Sequence, residues 1–395
     1  MAVLIKKTLQ WILLCLLIGL CTGVASAFFL ISLDRITSFR ENHSAIIALL
    51  PFCGLFLGWL YHHHGKRTEE GTHLIIEEIH EPKNTLPLRM APMILLSTVA
   101  THLFGGSAGR EGTAVQMGAS LADQLSKPFR LQGWNRKHLL QAGMSAGFAS
   151  IFGTPWAGMV FGLEALGKKH TRIHSLASTA MICGLSAFSG DAVVRMLGIR
   201  HEIYKITALP ALTLVSLFSA VLAGLAFGWV GQGFIVLTHR IFREFQERIS
   251  NPIWRPALGG FILALLMAAL GGSKYAGLSL PLIHDAFEGK SHLLDFAGKL
   301  FYTALTLGSG FKGGEVTPLF VVGATLGSAL SSLLALPGSL LAGMGFVSVF
   351  AGAAKIPITC TLMAIEVFGP APTLYMAIAC GVSATCGRRN LFKSN

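Results

Sequence analysis

Charged side chains are scarce in this sequence. They make up 13% of its 395 residues, about half the ~25% of an ordinary soluble chain. That deficit excludes a disordered protein and argues against a soluble globular one. Acidic residues are the scarcer sign, 19 against 31 Lys and Arg, for a formal net charge of +12. In a soluble protein such a surplus would point to nucleic acid. Here it is assigned to Lys and Arg in cytoplasmic loops, and no nucleic-acid partner is expected. A basic surface also draws small anions toward a pore. There is no CxxC pair. The seven cysteines (Cys15, Cys21, Cys53, Cys183, Cys360, Cys380 and Cys386) sit mostly inside apolar runs and read as small core residues. With no HExxH motif and no paired aspartates inside an apolar run, no enzyme, metal or cofactor is expected. Polar stretches are short, so no separate soluble domain is expected either.

What the chain has is apolar length. Hydrophobic residues reach 52%, and a membrane helix needs ~20 of them in sequence. Roughly a dozen or more such runs occur, several broken by Gly or Pro. The fold class is an all-α polytopic membrane protein in a lipid bilayer. Long apolar runs with little alternation argue against a β-barrel. The start imitates a secretory signal: Lys6 and Lys7, an apolar run from Trp11, then Val24-Ala25-Ser26-Ala27. The run continues through Phe28–Ile31 to Asp34, which predicts a retained first membrane helix with its basic end in the cytoplasm. The stretch His239 to Arg255 reads as a basic amphipathic connector. His62-His63-His64 reads as a polar turn at the membrane edge, because consecutive helical residues fan out by ~100°.

The chain repeats itself at about 200 residues. AGMSAGFASIFGTPWAGMVFGLEALG, from Ala142 to Gly167, is echoed by AGMGFVSVFAGAAKIPITCTLMAIEVFG, from Ala342 to Gly369. Pro155 precedes Glu164 by nine positions, and Pro357 precedes Glu366 by nine. Upstream, GREGTAVQMGASL from Gly109 pairs with GGEVTPLFVVGATLG from Gly313. The offset is 204 for Glu111 to Glu315 and 200 for Ala142 to Ala342. Two halves, 1–205 and 206–395, describe a transporter plan with sites where repeats meet. The spacing leaves parallel and inverted halves equally open.

FGGSAGREGTAVQMG and LGSGFKGGEVTPLF each place four glycines before an apolar run. Both read as irregular segments feeding helix N-termini, where unpaired N–H groups and ~+0.5 charge can hold an anion. Glu111 is the unusual residue. A carboxylate inside a membrane segment costs ~2.5 kcal/mol or more, so function is the default reading. At a helix start it can occupy the place of an anion, and its protonation would release it. That chemistry couples a proton to an anion. Permanent pairing with Arg110 is the bland alternative. For Glu315, at the matching place of the second half, the alternative is a capping carboxylate. Glu164 and Glu366 read as structural hydrogen-bonding groups.

At these residues the sequence resembles the CLC family of chloride channels and anion/proton antiporters. GREGT (Gly109, Arg110, Glu111, Gly112, Thr113) is similar to the family's gating-glutamate motif. GGEVTP (Gly313, Gly314, Glu315, Val316, Thr317, Pro318) is similar to its second anion-binding motif. The resemblance covers essentially the whole chain. It implies an inverted-repeat fold, a homodimer in the cell's inner membrane, and one anion pathway per subunit. Three details resemble the fluoride/proton antiporter branch. Thr113 stands where chloride-type members usually carry Pro. Glu315, Val316 and Thr317 stand where they carry GxFxP. Ala165 stands where chloride antiporters carry an internal proton-transfer glutamate. The resemblance implies fluoride and protons as substrates, Glu111 as gate and Glu315 as a second proton- or anion-linked residue. A chloride channel or chloride/proton antiporter is the alternative.

Two departures from the family's pattern concern the remaining anion-site positions. Its first anion-binding loop falls near Glu70-Gly71-Thr72-His73, where GTHL replaces GSGxP and Thr72 offers a hydroxyl in place of serine. Its inner-site tyrosine falls at Phe392, in GRRNLF, which has no hydroxyl to donate. Tyr375 is a late tyrosine, but lies one helix too early.

Overall fold

The computed structural model describes residues 2–167 and 173–392. The apolar runs form sixteen α-helices among the described residues, with no strand longer than a single bridge. They are α1 (Ala2–Asn42), α2 (Leu50–Leu60), α3 (Thr72–His80), α4 (Met90–Leu103), α5 (Glu111–Gln124), α6 (Trp134–Phe152), α7 (Pro155–Glu164), α8 (Ile173–Met196), α9 (Leu214–Arg248), α10 (Trp254–Leu270), α11 (Leu280–Phe287), α12 (Asp295–Gly308), α13 (Val316–Leu330), α14 (Gly338–Ala354), α15 (Pro357–Phe368) and α16 (Thr373–Thr385). Local chemistry sets several boundaries. Prolines open α2, α7, α11 and α15, where a missing N–H removes no helical bond. Thr213 and Ser216 form a reciprocal capping box at the start of α9.

Among the described residues, four helical segments are long and apolar enough to cross a bilayer: Ile5–Asn42, Ser44–Glu70, Leu176–Met196 and Leu214–Arg248. The others are shorter, in the manner of transporter helices broken inside the membrane. α1 runs unbroken through the signal-like residues, and Ala27 and Phe29 are buried. The basic stretch from His239 is the end of α9 rather than a separate connector, because the helix continues to Arg248. His62, His63 and His64 lie exposed on one wide helical turn, with the rings of His63 and His64 against Trp59.

The chain forms two compact units. The first comprises Met1–Ser32, Arg67–Leu96 and Glu111–Glu202. Its centre is α5 packed on α6, with α7 and α8 against α6. Gly118 and Gly143 meet backbone to backbone, so a Cβ on either would strike the other's carbonyl. Small residues permit such approach where lipid supplies no hydrophobic drive. A buried ion cluster closes one end. Arg136 donates to both Asp123 oxygens at 2.8 Å, to Glu78 Oε2 at 3.1 Å and to the Asn84 carbonyl at 2.6 Å.

The second unit comprises Leu33–Lys66, Ser97–Arg110 and Ile203–Asn395. Its centre is α13 packed on α14, flanked by α9 and α16. Gly323 and Gly345 meet as Gly118 and Gly143 do. The matching sequence repeats therefore fold as matching helix pairs, each built on a glycine contact. Tyr375, in α16, reaches the start of α9, donating to Ser216 Oγ at 3.0 Å and the Ala211 carbonyl at 3.2 Å.

Candidate functional site

Glu111 is the first residue of α5 and is completely buried, as is Thr113 two residues further on. Val316 and Thr317 open α13 and are also buried, whereas Glu315 is partly buried at the N-cap. Arg110 and Gly112 are partly buried. Both helix starts carry the N–H groups and partial positive charge that favour anions.

The segments ahead of the two helices meet. Gly109 N donates to Gly314 O at 2.6 Å, and Gly314 N donates to Gly109 O at 2.8 Å, an antiparallel pair. The two motif copies thus run in opposite directions here. The pair also fixes their register. Gly105 (φ 90°) matches Gly310 (φ 106°), Gly109 matches Gly314, and the first helical residue Glu111 matches Val316. The offset is 205, not the 204 expected from aligning the glutamates. Glu315 therefore answers to Arg110, and Val316 stands in the place of Glu111.

The loop before Glu111 is held at nearly every polar group. Gly106 N donates to Thr101 O at 2.7 Å, and Gly106 O accepts from Gly277 N at 3.1 Å. Ser107 N donates to Thr306 Oγ1 at 3.1 Å, and its hydroxyl pairs with that of Thr303 at 2.9 Å. The His102 imidazole lies between the carbonyls of Thr98 (2.8 Å) and Ala108 (3.0 Å). Two buried basic side chains secure the surroundings. Arg40 donates to His102 O at 2.7 Å. Lys299 reaches Gly277 O (2.6 Å), Ser279 Oγ (3.0 Å) and Tyr275 O (3.2 Å). Irregular backbone inside a membrane protein needs such partners, since lipid offers none. Sequence reasoning missed Arg40, His102 and Lys299. An isolated ionisable residue within an apolar run was the signal that could have found them.

Thr72 opens α3, after Gly71, and its hydroxyl oxygen accepts from Gln116 Nε2 of α5 at 3.4 Å. Phe392 is buried, with its ring edge-on to Phe350 at 6.4 Å. Phe350 in turn stands edge-on to Phe320 of α13 at 5.8 Å. In the repeat, Glu164 and Glu366 are both partly buried, each nine residues after the proline that opens its helix. Two G-x-S-x-G spacings do occur, Gly105–Gly109 and Gly143–Gly147. Neither is a hydrolase elbow, because Ser145 lies within α6 and Ser107 in the loop, away from any strand-to-helix turn.

Known proteins share both sequence and fold with this chain. The voltage gated chloride channel family profile matches residues 53–388. A "chloride/fluoride channel protein" of Pseudomonas syringae pv. tomato is 47% identical over 377 residues, covering 94% of this chain and 82% of its own. A crystal structure of a CLC-type fluoride/proton antiporter superposes with a TM-score of 0.94 at 34% identity, covering 98% of both chains. The structure of a slow cyanobacterial Cl−/H+ antiporter shares the fold, with TM-score 0.82 at 22% identity over 95% of this chain and 94% of its own. With its paired helix starts, its repeat and these relatives, the chain belongs to the voltage gated chloride channel (CLC) family, a family of membrane anion transport proteins.

Proposed function

We propose that the protein is a fluoride/proton antiporter that exports fluoride across the cell's inner membrane, as a homodimer with one pathway per subunit. The observation that carries this reading is Glu111, a completely buried carboxylate at the first position of α5. The relatives described as a chloride/fluoride channel protein and as a fluoride/proton antiporter support it.

A buried carboxylate at a helix start satisfies the N-terminal N–H groups as an anion would. Protonated, it loses its charge and its hold there, and an anion can take the place. Fluoride is small and strongly hydrated, so hydrogen-bond donors must replace its water. The hydroxyls of Thr113 and Thr317 and the N–H groups of Gly112, Gly313 and Val316 are donors of that kind, whereas the N–H of Gly314 is engaged by Gly109 O. Arg110 adds a nearby positive charge. Glu315, partly buried at the start of α13, serves as a second proton- or anion-linked group. Thr72 adds a hydroxyl at the start of α3, and Phe392 borders the inner end. The halves 1–205 and 206–395 each supply one glycine-broken helix start.

The second reading is a chloride channel or chloride/proton antiporter, since the Pseudomonas syringae relative is described for both anions. Efflux of each anion from proteoliposomes decides between them. Fluoride flux well above chloride flux supports the proposal. Chloride flux with little fluoride flux supports the alternative.

A further inference from the structure

Gln232 lies midway along the apolar α9 and is only 5% exposed. A buried carboxamide there is costly unless it is bonded. All its hydrogen bonds reach one place. Nε2 donates to Arg389 O at 3.0 Å and to Gly352 O at 3.1 Å, and Oε1 accepts from Arg389 N at 3.1 Å. Gly352 and Ala353 belong to the last turn of α14, whose carbonyls have no partner within the helix. Gln232 caps the first, and the N–H of Leu391 caps the second at 2.9 Å. Gly387 (φ 63°) rests against the Gln232 carboxamide, where any Cβ would collide. Lys355 completes the fastening, bonding the carbonyls of Ala384 at 3.0 Å and Cys386 at 2.5 Å.

The fastened segment, 387–392, ends in Phe392. Its ring continues a line of rings through Phe350 to Phe320, which lies one turn along α13 from Val316 and Thr317. Packing alone would be met by an apolar side chain at 232. The three bonds instead fix the path of a segment that has no regular structure of its own.

We propose that Gln232 is a positioning residue for the anion pathway. It holds the backbone at Arg389, and so sets where the Phe392 ring stands against α13 and α14. This rests on the reading of Phe392 as the inner border of the fluoride path.

The test uses the full-length protein with Gln232→Leu, Gln232→Glu, Phe392→Ala and the Gln232→Leu/Phe392→Ala double variant. Two quantities are measured: amide hydrogen exchange of 387–392, and fluoride efflux against fluoride concentration in proteoliposomes. Gln232→Leu should speed exchange at 387–392 about tenfold while leaving the α5–α6 peptides unchanged. It should also raise the fluoride KM about threefold or more, as should Phe392→Ala. The double variant should be no worse than either single one, since both act through one ring. If Gln232→Leu does not fold, Gln232→Glu carries the same expectation, because it keeps the size and acceptor but loses both donors. Unchanged exchange at 387–392 overturns the proposal. So does faster exchange with unchanged fluoride kinetics, or additive effects in the double variant. Wild-type protein with no fluoride flux would overturn the transport reading instead.

Discussion

Gly109 and Gly314 each donate a backbone hydrogen bond to the other's carbonyl, at 2.6 and 2.8 Å. Residues that exchange both bonds stand directly opposite in an antiparallel pair. This relation joins the two motif copies and fixes what matches what across the repeat. The place that Glu111 holds in the first copy is occupied in the second by Val316.

Val316→Phe follows from that match. Val316 is only 4% exposed, so it is packed inside the protein rather than against lipid. A ring there crowds the start of α13 and shields the neighbouring N–H groups and the Thr317 hydroxyl. Overpacking of this kind costs roughly 1–3 kcal/mol, which the fold can absorb, while the proposed fluoride path would be obstructed. We expect fluoride efflux to fall severalfold with an unchanged gel-filtration profile. A folded variant with wild-type flux would remove Val316 from the pathway.

The register was hidden in the sequence for a physical reason. GREG and GGEV invite a glutamate-on-glutamate alignment, but the backbone aligns glycines, because their hydrogen bonds make the contact. The repeat itself was legible, since glycine and proline positions carry it: Gly118 with Gly143, Gly323 with Gly345, and Pro155 and Pro357 at helix starts. The membrane class was legible from apolar run length. The pinning of the loop by Arg40, His102 and Lys299 was not, because their partners are backbone carbonyls, which no residue pattern announces. The Arg136 cluster was likewise masked, as Glu78, Asp123 and Arg136 come from three separate helices, α3, α5 and α6.

Arg136→Met should strongly destabilise the protein. It would leave the buried Asp123 without a guanidinium, and the buried Glu78 with that of Arg67 alone. Breaking a buried ion pair from one side costs about 3–5 kcal/mol. Thermal unfolding in detergent should show a large downward shift for Arg136→Met. Replacing Asp123 and Glu78 by apolar residues in the same background should recover part of it. Equal stability of wild type and Arg136→Met would contradict the structural role.

Gly345→Val should prevent α13 from closing on α14, since its side chain would strike the Gly323 carbonyl. Helix backbones in contact cannot yield locally, so the loss should exceed the ~1–3 kcal/mol usual for overpacking. The measurement is the yield of monodisperse protein and its unfolding temperature. Wild-type values would show that the two helices need not touch.

Cells lacking the gene, with no second exporter present, should become sensitive to fluoride, most strongly in acid medium. Hydrogen fluoride crosses membranes uncharged and releases fluoride in a more neutral cytoplasm. Growth curves of deletion and parent strains across fluoride concentration and pH are the check. Identical curves would count against fluoride export.

In the proposed antiporter, Glu111 couples proton movement to fluoride. Its buried carboxylate can take up and release a proton, while the amide of Glu111→Gln cannot. The direct measurement is proton movement against its gradient in proteoliposomes, driven by a fluoride gradient and recorded together with fluoride flux. The wild-type protein should pump protons uphill, and Glu111→Gln should not. Uphill proton pumping by Glu111→Gln, or wild-type fluoride flux without proton movement, would contradict the account.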